Sequence, residues 1–103
     1  MTLAPTQKVS WVRPATSTTS SPASVTTSVA TVLAGNTGRY GAAVYNESGA
    51  TCYLKLGSAA TLTDYTLQVA VGGYYEVPFF YTGILTGITS AGTAVLRVTE
   101  ITA

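Results

Sequence analysis

The chain has 103 residues, five basic and four acidic side chains, a net charge of +1 and no histidine. Charged residues make up 9 % of it, against roughly 25 % in an average globular protein. This excludes a basic surface for nucleic acid, and the lack of histidine removes the commonest general base and a frequent metal ligand.

Residues 1–24 differ from the rest. Pro5, Pro14 and Pro22 stand in a Ser, Thr and Ala background that includes the low-complexity run 16–21, and no period of 2 or 3.6 crosses the segment. It reads as an extended arm spanning up to about 80 Å when fully stretched. Trp11, the only tryptophan, lies on it between Val9 and Arg13. An alternating Val9 and Trp11 share one face of an extended chain, and a large aromatic seated in a partner's pocket is a common form of binding hot spot. The prolines stiffen the arm and lower the entropy lost on docking. The competing reading is one more strand on the edge of the domain. The start MTLAPTQKVSWV lacks the pattern of a signal peptide, and no apolar run is long enough for a membrane helix.

From residue 25 onward the composition favours strands: Thr, Val and Tyr are abundant, helix formers are few, and turn signals recur at 35–38, 46–49, 57–60, 71–73 and 90–93. Strands are expected at about 25–34, 39–46, 51–57, 63–70, 74–79, 83–89 and 93–101. Alternation puts Cys52, Leu54 and Leu56 on one face, then Tyr65, Leu67 and Val69, then Leu96 and Val98. Val29, Ala42, Val44, Val77, Phe79, Ile84 and Ile88 are further core candidates. Pro78 removes a ladder donor, so its strand is an edge or ends there. The expected fold is all-β: a single β-sandwich, jelly-roll or Greek-key-like, of about seven strands over 25–103, with the N-terminal arm over 1–24.

No catalytic set emerges. Glu47, Asp64, Glu76 and Glu100 fall in different elements, and no nucleophile elbow, phosphate loop or carboxylate-rich loop is present. The expectation is no enzyme, no cofactor and no metal. Cys52 is alone and reads as a small buried hydrophobe. Tyr74, Tyr75 and Tyr81 are candidate interface residues, because tyrosine supplies contact area at low entropy cost; Tyr74 and Tyr75 face opposite sides of their strand. Lys55 and Arg97 point away from the core, either as solvated charges or as partners for acids across a subunit boundary.

From residue 39 the text reads RYGAAVYNESGATCYLKLG, then VGGYYEVPFFYTGILTGI, then AVLRVTE. This resembles a group of small all-β structural proteins of tailed bacteriophages. The pattern falls on Arg39 and Gly41, Asn46 and Ser48, Leu54 to Gly57, Gly73 to Pro78, Tyr81 to Ile84, and Val98 to Glu100. It covers about the last two-thirds of the chain and leaves out the arm. The resemblance implies a virion protein made in the host cytoplasm, carrying no catalytic residues. Together with the low charge and the arm, it leads to the expectation of a capsid decoration, or cement, protein. Its partners would be the major capsid protein and copies of itself, as a trimer or dimer, without nucleic acid or membrane. A tail, neck or fibre module and a virion-displayed carbohydrate-binding module are the alternatives.

Overall fold

A computed structural model describes residues 14–103. These hold eight strands: β1 (Ser17–Val25), β2 (Ala30–Leu33), β3 (Arg39–Ser48), β4 (Cys52–Leu56), β5 (Leu67–Val69), β6 (Tyr74–Val77), β7 (Leu85–Ile88) and β8 (Ala94–Thr102). No helix occurs among the described residues.

The strands form two four-stranded sheets, in the orders β1-β8-β3-β6 and β2-β7-β4-β5. Every pairing between these strands is antiparallel. First pairs with last, second with seventh, third with sixth and fourth with fifth. The chain therefore runs as one long hairpin, turning back between β4 and β5. The β3–β8 and β4–β7 pairings roll that hairpin into two layers, giving a sandwich-like all-β fold.

The core follows the pleat. β3, β6 and β8 turn Ala42, Val44, Val77, Ala94, Leu96 and Val98 inward, and these meet Val32, Cys52, Leu54, Val69 and Leu85 of the second sheet. Leu54, Leu85 and Leu96 are completely buried; burying a side chain of this size contributes about 1.5–3 kcal/mol. The expected core is corrected at five residues. Val29 is exposed in the turn before β2, and Tyr65 is exposed because β5 begins only at Leu67. Its ring instead meets Tyr53 edge-on, with centroids 4.9 Å apart. Phe79 is 73 % exposed: β6 ends at Val77, and Pro78 opens a turn that breaks the alternation. Ile84 and Ile88 are half-buried, while Leu85 takes the central position between them.

The 1–24 boundary is also redrawn. Ser17–Val25 is a nine-residue strand paired along the whole length of β8, from Ser17 opposite Thr102 to Val25 opposite Ala94. Only Val25 of this strand is buried. Its small β-tolerant side chains contribute little packing, so the backbone ladder holds it. Pro22 is tolerated because β1 lies at a sheet edge, and it leaves that edge one donor short for any further strand. The remaining arm residues, 1–13, lie outside the described residues.

Two buried polar side chains tie the loops to this frame. Asn46 sits at a bulge in β3 and donates from Nδ2 to the carbonyls of Ala50 and Val69, both at 2.8 Å. Its backbone bonds Gly72 and Gly73, so one residue fixes the β3–β4 turn, β5 and the β5–β6 turn. Gly49 in that first turn has φ +100°, and a Cβ there would lie 1.7 Å from the Thr93 carbonyl oxygen; no side chain fits. Arg39, also buried, holds the opposite end of the sheet.

Candidate functional site

Among the described residues the acids do not converge. Glu47 pairs with Arg97, Asp64 with Lys55 and Glu100 with Arg39. Glu76 receives a hydrogen bond from the Tyr74 hydroxyl at 3.2 Å; desolvation first, and then this carboxylate, hold the Tyr74 phenol above its ordinary range. No group of three or more metal-ligating side chains forms among the described residues.

The residues singled out in the sequence separate into distinct environments. Val9, Trp11 and Arg13 lie outside the described residues. Lys55 Nζ is 2.6 Å from Asp64 Oδ2, and Arg97 forks onto both oxygens of Glu47 at 3.1 and 3.3 Å. Both cations are paired with acids of the same chain. Tyr75 and Tyr81 pack against the core. The Tyr81 hydroxyl donates to the Ile84 carbonyl at 2.7 Å, and burial, with Tyr81 nearby, pushes the Tyr75 phenol up. Of the three tyrosines, Tyr74 alone stands on the open face, 58 % exposed.

Tyr74 belongs to an apolar cluster on the outer face of the β1-β8-β3-β6 sheet. It lies opposite Tyr45 across the β3–β6 pair, and Ala43 lies opposite Glu76. Beyond Val77 the chain makes a turn in which Tyr81 N–H donates to the Pro78 carbonyl at 3.1 Å. Phe80, at the third position of this turn, has φ +65°, a region an L-residue enters at a cost of about 1–2 kcal/mol. The turn is held by the Phe80 N–H bond to Tyr40 O at 2.8 Å and by an edge-on contact of the two rings at 5.8 Å. Phe79 is thereby swung onto the outer face, where its ring covers Gly41; a Cβ at Gly41 would lie 3.1 Å from that ring.

Between Tyr74 and Phe79 runs a groove of about 340 Å³, lined also by Ala42, Ala43, Glu76, Val77, Pro78 and Ile101. Tyr74, Phe79 and Phe80 are exposed aromatics on a chain with few charges, and one of them is held in a strained backbone. Strain of this kind collects at ligand clamps and interfaces, and exposed apolar patches mark interaction sites. Sequence reasoning missed Phe79 by assigning it to the core and did not weigh Phe80. The available signal was Pro78, which ends the alternation that would have turned Phe79 inward.

Cys52 is fully buried between the sheets. Burial pushes its thiol up to about 11, partly offset by a hydrogen bond with the Ile88 backbone. This is the environment of an inert packing residue rather than a nucleophile.

The described residues form an all-β module with a cluster of exposed aromatic side chains on one sheet. Comparisons with protein-family models, with curated proteins and with solved structures find no match to the chain.

Proposed function

We propose that the chain is a non-catalytic virion structural protein of a tailed phage, a jelly-roll module that decorates the outer capsid surface and staples neighbouring subunits through its N-terminal arm. The jelly-roll reading rests on the strand orders β1-β8-β3-β6 and β2-β7-β4-β5, a single hairpin rolled into two sheets of four. The observation that carries the functional reading is the exposed aromatic face of Tyr74, Phe79 and Phe80. Such rings are typical anchors of protein contacts, and the buried polar side chains nearby bond to the fold's own loops. The phage assignment rests on the sequence resemblance.

The stapling mechanism needs two contacts per molecule. The Trp11 arm gives one, to a neighbouring subunit, and the folded domain gives the other. Joining them on one chain raises the effective concentration of the second contact once the first is made. A carbohydrate-binding reading has one observation in its favour: aromatic walls at Tyr74 and Phe79 with the Glu76 carboxylate between them suit stacking and hydrogen bonding to a sugar ring.

The test is saturation binding of the protein to bare expanded capsids, with bound copies counted after sedimentation. Hundreds of copies per particle, lost on Trp11→Ala, support a cement protein. A dozen or fewer assign it to a portal, tail or vertex. Absence from the particle, combined with glycan binding lost on Tyr74→Ala, supports the carbohydrate reading instead.

A further inference from the structure

The ion pairs leave a specific remainder. Of the four acids, Glu47, Asp64 and Glu100 each hold a cation within the chain. Among the described residues Glu76 has no cation partner, and it lines the groove between Tyr74 and Phe79. Of the five basic residues, Arg39, Lys55 and Arg97 are used in those three pairs. The two others, Lys8 and Arg13, both belong to the N-terminal segment and flank Val9 and Trp11. One apolar groove with a lone acid and one short segment with a large aromatic between two cations are complementary in shape class and in charge.

The topology places them apart. The arm joins the fold at β1, and the groove lies along β6; these are the two opposite edges of one sheet. The Thr16 N–H still bonds the Thr102 carbonyl, so the chain is held at the β1 edge up to that residue. Crossing from β1 to β6 spans three strand spacings, about 14 Å. The stretch from Trp11 to Ser17 reaches at most about 20 Å. To enter its own groove the segment would have to reverse direction and spend most of that reach crossing β8 and β3. A groove on another copy imposes no such reversal.

We propose that the groove receives the segment Lys8–Arg13 of a second copy of this chain, with Trp11 between Tyr74 and Phe79 and a basic residue of the segment on Glu76. This deepens the arm-stapling reading and rests on it. Because the donor and the acceptor lie at opposite edges of the same sheet, the contact is head-to-tail. Such a contact closes into a ring or a reciprocal pair where the rotation between copies allows it.

The test uses full-length chains and the only tryptophan as its own probe. Ala43→Lys fills the groove floor and places a cation beside Glu76; Trp11→Ala removes the anchor. Sedimentation velocity should show wild type associating with concentration, its tryptophan emission shifted to the blue. Each variant alone should be monomeric, and the Ala43→Lys emission should be that of a solvent-exposed indole. An equimolar mixture of the two retains one intact arm–groove contact. It should form a one-to-one pair, with the emission moving blue on mixing. Glu76→Gln should weaken wild-type association several-fold. If Ala43→Lys fails to fold by circular dichroism, Phe79→Ala replaces it.

A mixture that stays monomeric overturns the proposal. So does a monomeric wild type whose blue-shifted emission is lost in Ala43→Lys, because the arm would then occupy its own groove. A monomeric wild type that still binds capsids through Trp11 also overturns it, while leaving the stapling reading intact.

Discussion

Arg39 donates from Nε to Glu100 Oε2 at 2.8 Å with its own side chain fully buried. The same guanidinium donates from Nη1 to the carbonyls of Tyr81 and Gly83, at 3.1 and 2.8 Å, and from Nη2 to that of Ala34. One side chain thus joins β3, β8, the β2–β3 loop and the β6–β7 loop. That last loop carries Phe79 and Phe80, so the buried ion pair sets the platform on which the exposed aromatics stand.

Arg39→Ala should therefore cost about 3–5 kcal/mol, the usual penalty for stranding one partner of a buried pair, and three carbonyls lose their donor as well. Arg39→Lys should recover little of this, because a single ammonium cannot reproduce the planar fork. Glu100→Gln, which keeps an acceptor for Nε–H, should cost less than Arg39→Ala. Urea denaturation of the three variants decides; equal stability of Arg39→Lys and wild type would refute the clasp.

Phe80 tests whether the aromatic turn serves binding rather than folding. It is 57 % exposed and its φ of +65° suits asparagine better than phenylalanine. Phe80→Asn relieves strain of about 1–2 kcal/mol while losing an aromatic contact worth about 0.5–1.5 kcal/mol. Stability should stay within about 1 kcal/mol of wild type, whereas, on the proposed decoration role, attachment to capsids should fall. A large loss of stability would show the turn to be a packing element.

Cys52 predicts a specific alkaline sensitivity. Its thiol titrates at about 11 in the fold against an ordinary value of 9.0. The folded state therefore holds its proton more tightly than the unfolded one. The resulting stability is complete below pH 9 and is lost as pH rises from about 9 through about 11, a loss of order 2–3 kcal/mol. The Tyr75 phenol, also pushed up, acts in the same direction. Thermal midpoints of wild type and Cys52→Ala across pH 8–11 should show a shallower decline in the variant; parallel declines would refute the assignment. At neutral pH a thiol reagent should label Cys52 only on unfolding.

Much of the layered architecture was legible from the sequence. Alternation in β4 and β8 placed Cys52, Leu54, Leu96 and Val98 correctly, because a strand with one buried face must repeat every second residue, and the further candidates Ala42, Val44 and Val77 are buried as well. Pro78, with no N–H to give, carried the signal for the end of β6, although the expected strand ran on to 79. The candidate site was half legible. Tyr74 was named, but its companions Phe79 and Phe80 were not.

The tertiary structure decided what no periodicity encodes. Ser17–Val25 carries no apolar repeat, and it becomes a strand because β8, paired to β3 on one side, offers it a second edge nine residues long, a long-range partner invisible to local pattern. Lys55 and Arg97 look solvated until folding brings Asp64 and Glu47 beside them. Phe79 reads as core until Pro78 ends its strand and Gly41, with no side chain, leaves room for its ring on the outer face. Alternation is a property of one strand, so the sequence by itself determined which residues share a face. Which strands pair, which charges meet and which aromatics remain in the open depend on contacts between residues far apart in the chain, and only the folded sheets set those.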